Sequence, residues 1–179
     1  IYSTAVKAVL WVGAAWAYVR LIRQRPVLRY LGLAIAPARR EWGIAALATL
    51  LYLATVVGLE GMFGGKSFHP SLPAVFAFAF LAASALIEEI LFRGLVLQEL
   101  SCRFHAVPAN LIASLLFLAA HWPHWLWSRG INAGVLSDSV GVFLASLLFG
   151  WLYQRTSSIW PCFIAHVANN IVAGFLVSA

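Results

Sequence analysis

The chain has 179 residues, of which 63% are hydrophobic and only 10% are charged. A soluble domain is excluded, because the apolar residues form runs close to the roughly 20 residues that a helix needs to cross a bilayer. The net charge of +6 does not indicate a nucleic-acid partner. Half of the 12 basic residues lie in one segment between two apolar runs, which is typical of the cytosolic side of a membrane protein. These six are Arg20, Arg23, Arg25, Arg29, Arg39 and Arg40.

Six apolar runs follow one another along the chain and predict six membrane-spanning helices. Only helices and closed barrels satisfy the backbone in lipid, and these runs are far too long for barrel strands. The expected fold is therefore all-α, a polytopic membrane helical bundle of about six transmembrane helices in a single domain over residues 1–179. The predicted spans cover about residues 2–21, 42–59, 72–98, 107–121 or a little beyond, 140–153 and 159–177.

Glycine, proline and charge mark the connections between the runs. They predict irregular loops over about residues 60–71 and 122–139, and the arginine-rich segment after the first run is expected in the cytosol. Both loops and both termini would then face outward. Trp122, Trp125 and Trp127 would lie at the outer headgroup boundary, where tryptophan is common. The first run is interpreted as a real span rather than a cleaved signal.

Polar residues interrupt three of these runs. Glu88 and Glu89 lie in the third run, His121 at the end of the fourth, and His166 and Asn170 in the sixth. Charged groups in hydrocarbon cost at least a few kcal/mol each, so they indicate a functional site. With a rise of about 1.5 Å per residue, the predicted topology places Glu88, both histidines and the asparagine near the middle of a core about 30 Å thick.

Spacing assigns these residues to helix faces, because residues four apart share one face. Glu88 and Glu89 point about 100° apart around their helix, so they are expected to have different roles. An ion pair between Glu89 and Arg93 would reduce the cost of burying both and leave Glu88 to face the histidines. The three pairs with this spacing are Glu89 with Arg93, Phe117 with His121, and His166 with Asn170.

The chain resembles the CPBP family, the CAAX-protease and bacteriocin-processing (Abi) intramembrane proteases, in three motifs taken in order: Glu88-Glu89-x-x-x-Arg93, Phe117-x-x-x-His121 and His166-x-x-x-Asn170. The likeness covers a motif-bearing core at about residues 72–178. About six spans are fewer than the eight of the prenyl-protein proteases, and His124 in His121-Trp-Pro-His124 is an additional histidine. The resemblance is therefore to a short, prokaryotic-type member.

What the resemblance implies is peptide-bond hydrolysis by a glutamic intramembrane endopeptidase of a prokaryotic plasma membrane. Glu88 would act as the base on a nucleophilic water, a role that suits a desolvated carboxylate. His121 would hold the same water. His166 and Asn170 would donate hydrogen bonds to the oxyanion of the tetrahedral intermediate.

The other motif residues complete this expected site. Glu89 belongs to the catalytic set, while Arg93 and Phe117 support it. No cofactor or metal ion is required, and no covalent nucleophile either. Ser84 and Ser114 lie near these residues but have no Gly-x-Ser-x-Gly elbow, which disfavours a serine mechanism.

Three alternatives stay open on the residues alone. A zinc protease could use Glu88, His121 and His166 as ligands, although the chain has no His-Glu-x-x-His helix. A haem protein could use the two histidines as axial ligands, but it would leave the glutamates unexplained. A non-catalytic scaffold or transporter could use the buried charges as a relay.

The expected substrate is a membrane-associated protein. The resemblance offers a prenylated tail, a leader peptide or a C-terminal sorting anchor, and the small size of the chain favours the last. The remaining histidines are expected away from the chemistry, His69 and His105 in loops and His124 at the membrane interface.

Overall fold

The structure, a computed structural model, describes residues 2–63, 66–68 and 75–178. The first helix, α1, is continuous over residues 2–23, and π-helical segments alternate with α-helical ones along it. Gln24, in the left-handed conformation with φ 51°, follows its last residue. A short helix and a long helix come next, α2 (Val27–Tyr30) and α3 (Arg39–Phe63).

The helices that carry the three motifs lie in the second half of the chain. Helix α4 is continuous over residues 75–101, and it widens from an α-helix to a π-helix over Ile90–Leu97, directly after the two glutamates. The later helices are α5 (Ala106–Arg129), α6 (Ala133–Thr156) and α7 (Ile159–Phe175). Two short strands, β1 (Lys66–Phe68) and β2 (Leu176–Ser178), form an antiparallel ribbon.

The predicted all-α membrane bundle is confirmed, with the small ribbon as an addition. Six of the helices lie where the six spans were predicted. Four described helices are long and apolar enough to cross a membrane: Thr4–Arg23, Arg39–Met62, Ala106–Arg129 and Ala133–Thr156. Helix α7 is apolar but shorter, so the length and composition of the described helices support four spans directly rather than six.

The loop predicted over residues 122–139 is wrong in extent. Helices α5 and α6 continue into it from both sides, so residues 130–132 alone separate them. The loop-forming residues have local roles instead. Gly130, with φ 66°, follows the end of α5, and the Asn132 side chain accepts a backbone hydrogen bond of 3.0 Å in the first turn of α6. Turn-forming residues marked the place of the connection but not its length.

The other predicted loop, over residues 60–71, is also shorter than expected where it is described. Helix α3 continues to Phe63, and Lys66–Phe68 form a strand. Residues 64–65 and 69–74 lie outside the described residues, and the prediction for His69 lies there too.

Close helix packing brings the three motifs together. Helix α6 packs against α5 and α7, and α7 also packs against α4. At Gly150 of α6 the approach is so close that a Cβ atom would lie 1.8 Å from Asn110 Oδ1 of α5. Asn110 Nδ2 also donates to the Leu147 carbonyl at 2.9 Å. A small residue and a polar contact therefore hold α5 against α6, a combination typical of helices in membranes.

Candidate active site

Glu88 lies in the last α-helical turn of α4, before the helix widens. Its side chain is buried, and its Oε1 atom accepts hydrogen bonds from Lys7 Nζ of α1 at 2.9 Å and from Ser84 Oγ at 3.2 Å. The other oxygen, Oε2, lies 3.8 Å from Nε2 of His166, which is beyond hydrogen-bond distance. One carboxylate oxygen is thus held by donors, while the other faces an imidazole across a gap.

Glu89 has a different set of partners, as expected from its position about 100° further around the helix. The side chain is fully buried, and its Oε1 atom accepts hydrogen bonds from Arg93 Nη1 at 3.1 Å and from His166 Nδ1 at 2.7 Å. Its Oε2 atom is buried and has no hydrogen-bond partner among the described residues. The two adjacent glutamates therefore have different partners: Glu88 binds Lys7 of α1, and Glu89 binds His166 of α7.

Arg93 lies in the π-helical part of α4 and is 2% exposed. The ion pair with Glu89 that the spacing predicted is present. Its Nη2 atom donates to the Ser146 carbonyl at 3.1 Å and to the Ser146 hydroxyl at 2.8 Å. The guanidinium carbon also lies over the rings of Phe117, at 4.6 Å, and Phe149, at 5.3 Å. Since a buried charge is tolerated only when it is paired and hydrogen-bonded, Arg93 both compensates Glu89 and joins α4 to α6.

His166 of α7 is held between aromatic rings and carboxylates. Its ring stacks on Phe149 at a centroid distance of 5.0 Å and meets Phe117 edge-on at 5.9 Å. Because Nδ1 donates to Glu89, the bond sets the ring orientation and turns Nε2 toward Glu88. The imidazole is therefore positioned by one glutamate and presented to the other.

His121 is half-buried on α5 and lies inside the helix rather than at its end, because α5 is longer than predicted. Its Nδ1 atom lies 2.9 Å from the Phe117 carbonyl oxygen, so Nδ1–H donates and the lone pair is on Nε2. The ring packs against Phe117 at 4.7 Å and Trp125 at 5.5 Å. Through Phe117, which also lies under the Arg93 guanidinium and meets His166 edge-on, His121 is connected to the rest of the cluster.

Asn170 follows His166 by four residues on α7 and is half-buried. Its Oδ1 atom accepts a hydrogen bond from Asn169 Nδ2 at 3.4 Å. Among the described residues no hydrogen bond joins it to Glu88, His121 or His166. Six of the seven expected residues thus form one connected cluster, and Asn170 lies on the same helix as one of them without a direct bond.

Lys7, Ser146 and Phe149 contact the expected site residues and were not predicted as part of the site. A signal for Lys7 was present, because a lone cation in an apolar run is itself an indication of function. A serine and a phenylalanine in an apolar helix carry no such signal. The side chains of His105 and His124 are exposed and lie outside the cluster, and the position expected for His124 at the membrane interface stays a prediction.

Within the part of the chain that the structure describes, no group of three or more histidine, cysteine, aspartate and glutamate side chains is arranged to hold a metal ion. The zinc alternative would therefore require Glu88, His121 and His166 to move relative to one another.

Fold and cluster together define a class, a polytopic membrane protein with carboxylates and imidazoles buried between its helices. A family model described as Rce1-like, type II CAAX prenyl endopeptidase, matches residues 70–172, which is more than half of the chain. The chain belongs to this family, and the resemblance seen in the three motifs is thereby confirmed. Comparison with curated proteins gave no match, and neither did comparison with solved structures.

Membership of the family carries a coarse statement of function. The Rce1-like family implies an intramembrane endopeptidase, a peptide hydrolase that acts on a membrane-associated substrate in a lipid environment. The matched region contains every residue of the expected catalytic set: Glu88, Glu89, His121, His166 and Asn170.

Proposed function

We propose that the protein is a glutamate-dependent endopeptidase of a prokaryotic plasma membrane, which hydrolyses a peptide bond with a water activated by Glu88. The observation that carries this proposal is the state of the Glu88 carboxylate. It is buried between helices with one oxygen held by Lys7, while its Oε2 atom accepts no hydrogen bond from the described residues and faces His166 Nε2 at 3.8 Å. That oxygen is available to take a proton from water.

His121 is the second ligand of the proposed water. Its Nδ1–H is committed to the Phe117 carbonyl, so the lone pair on Nε2 is the group that can accept a hydrogen bond. Glu88 and His121 come from different helices, and the rings of His121 and of His166, which faces Glu88, both pack against Phe117. A water held by both would be oriented for attack and would lose its proton to Glu88.

The oxyanion of the tetrahedral intermediate would be stabilised from α7. The Asn170 amide nitrogen donates to none of the described residues, so its N–H groups are available. His166 Nε2 faces the same region as Glu88 Oε2, and in the doubly protonated ring this nitrogen donates. Donors that are fixed before the reaction stabilise developing charge without reorganisation, and Glu89 fixes His166.

The substrate is proposed to be a membrane-associated protein. The matched family is described by its CAAX prenyl endopeptidases, so an isoprenylated C-terminal tail is the first substrate to test. A peptide with a C-terminal sorting anchor is the second, and a leader peptide the third. The three differ in the apolar group that would hold them in the bilayer.

The test is cleavage by the purified protein in liposomes, with these three peptides labelled on both sides of the expected bond. Wild type is expected to cleave at least one of them. Glu88→Gln, which keeps the shape but removes the base, is expected to lower the rate by about 100-fold or more, the usual contribution of a general base. His121→Ala and His166→Ala are expected to lose activity comparably. Mass spectrometry of the products locates the bond.

The matched control is Glu41→Gln, the same change at an exposed ion pair of α3 with Arg155. It is expected to retain wild-type cleavage. Full activity of a correctly folded Glu88→Gln protein would overturn the proposed mechanism. Loss of wild-type activity with a zinc chelator, restored by added zinc, would instead favour the zinc alternative.

A further inference from the structure

A cavity of about 530 Å³ opens at the end of the bundle where the arginines are concentrated. The segment between α1 and α3 forms one side of it, and the ends of α4 and α6 form the other. Arg25 and Arg29 line this cavity together with the polar side chains of Tyr30, Gln98 and Tyr153. None of the candidate catalytic residues lines it, so the cavity is separate from the site described above.

The positive charge at the cavity is not compensated by the protein. The chain has six acidic residues, and the two nearest this end already have partners, since Glu99 binds Arg23 and Glu41 binds Arg155. Arg25 and Arg29 form no side-chain hydrogen bond or ion pair with the described residues. Two guanidinium groups therefore face a polar cavity without a counter-ion.

The segment that presents these arginines is held in place by contacts with the start of α7. Trp160 Nε1 donates to the Leu33 carbonyl at 3.0 Å, and Ser158 Oγ donates to the Ile35 carbonyl at 2.7 Å. Leu31 is 1% exposed and forms part of the core. A ligand at the cavity would thus meet a segment that is already ordered, so little ordering entropy opposes binding.

Large apolar side chains flank the arginines in the sequence and are exposed. Leu21 and Ile22 at the end of α1 are 69% and 67% exposed, and Leu28, between the two arginines in sequence, is 62% exposed. Side chains of this kind are suited to contact acyl chains. Cationic groups and exposed apolar groups therefore alternate along one short stretch. The cationic groups suit the anionic headgroup of a phospholipid, and the apolar groups suit its acyl chains.

We propose that this cavity binds a phosphate group, and that its occupant is the headgroup of an anionic phospholipid. Guanidinium groups bind phosphate oxygens through paired N–H donors, and the Gln98 amide nitrogen can supply a further donor. The Tyr30 and Tyr153 hydroxyls already donate to Glu99 and to Gln98 Oε1. Basic pockets between transmembrane helices on the cytosolic side suit such headgroups. The flanking leucines and isoleucine favour a lipid over a soluble phosphate compound.

The experiment measures thermal unfolding of the full chain in nanodiscs of phosphatidylcholine alone and of phosphatidylcholine with phosphatidylglycerol. A ligand that binds the folded state raises the melting temperature, so the anionic lipid is expected to raise it for wild type. The double variant Arg25→Gln with Arg29→Gln is expected to lose more than about half of that rise, since it removes both guanidinium groups of the site.

The matched control is Arg39→Gln with Arg40→Gln, which removes the same charge from the same segment at residues that do not line the cavity. It is expected to keep most of the rise. Equal losses in the two double variants would overturn the proposal, because surface charge alone would then explain the effect. If the double variant does not fold, the single variants Arg25→Gln and Arg29→Gln are compared with Arg39→Gln and Arg40→Gln in the same way.

A second arm separates the two sources of phosphate. Inorganic phosphate and glycerol phosphate are added to the protein in phosphatidylcholine nanodiscs. The proposal expects a rise much smaller than that given by phosphatidylglycerol at the same phosphate concentration. A rise as large from the soluble compounds, abolished in the Arg25→Gln and Arg29→Gln double variant, would overturn the assignment to a lipid.

Discussion

Two adjacent glutamates on one helix divide the work of the candidate site between them. Glu88 is held by Lys7 and offers its second oxygen to the space near His166, while Glu89 holds Arg93 and the same histidine. The division follows from helix geometry, because consecutive residues point about 100° apart. In the proposed mechanism, one carboxylate is thereby available for chemistry, and the other positions the groups around it.

Arg93→Met is expected to destabilise the protein by about 3–5 kcal/mol, because it leaves the fully buried Glu89 carboxylate without its cation. Thermal unfolding in detergent measures the loss. Replacing both partners, Glu89→Gln with Arg93→Met, is expected to recover part of the lost stability, since no uncompensated charge is then buried. Wild-type stability of the Arg93→Met protein would contradict the structural role given to the ion pair.

Lys7→Met is expected to lower the cleavage rate by about tenfold or more, equivalent to about 1.4 kcal/mol, because the proposed base loses its nearest counter-charge and one of its two hydrogen bonds to Oε1. Lys7→Arg retains a cation at this place and is expected to restore most of the rate. The measurement is turnover of whichever peptide wild type cleaves. A folded Lys7→Met protein with the wild-type rate would show that Lys7 does not position Glu88.

Among the elements, α6 is the one around which the motif-bearing helices assemble. It packs against α5 and α7, and its residues Ser146 and Phe149 contact the Arg93 guanidinium. The contact with α5 depends on a missing side chain, since Asn110 Oδ1 lies where a Cβ of Gly150 would be. Packing in this region leaves no room for a larger residue unless the Asn110 side chain or one of the helices moves.

Gly150→Ala is expected to destabilise the bundle by about 1–3 kcal/mol, the usual effect of overpacking a core. Gly141→Ala is the matched control, because it lies on the same helix and an added Cβ there would meet nothing within 4 Å. Thermal unfolding and the yield of monodisperse protein in detergent report the difference. Equal behaviour of the two variants would show that α5 and α6 are packed less closely at Gly150.

Across the whole molecule, polar contacts at the arginine-rich end connect segments that are far apart in the chain. Glu99 of α4 accepts hydrogen bonds from Arg23 at the end of α1, with an Nε distance of 2.7 Å, and from the Tyr30 hydroxyl of α2. The Arg23 guanidinium holds the pKa of the Glu99 carboxyl below its ordinary value. The first helix is thereby joined to the helix that carries the glutamates.

Glu99→Gln is expected to lower the melting temperature at neutral pH and to make it less dependent on pH. A carboxyl whose pKa is lower in the folded than in the unfolded state stabilises the fold above the unfolded pKa, and this contribution disappears as the pH falls through the folded pKa. Melting curves of both proteins from pH 7 downward should therefore converge in acid. A constant difference at every pH would contradict the linkage.

Much of the architecture could be read from hydropathy. Long apolar runs determined an all-α membrane bundle and the approximate places of its helices, because lipid leaves a backbone few other options. The connection between α5 and α6 could not be predicted, since turn-forming residues indicate where a chain bends and not how many residues the bend requires. Gly130 and Asn132 lie within the predicted loop, but the helices on either side extend to within three residues of each other.

In the candidate site, too, some features could be predicted from the sequence and others could not. The sequence by itself determined that Glu88, Glu89, His121 and His166 form a polar cluster between the helices. Ionisable side chains in apolar runs are too costly to face lipid, so they are expected to meet one another. It also determined the Glu89 ion pair, which lies within one helix and follows from a spacing of four residues. Contacts between helices were decided only by the tertiary structure. The Lys7 bond to Glu88 and the Glu89 bond to His166 join residues 81 and 77 positions apart, and packing rather than local spacing brings such residues together.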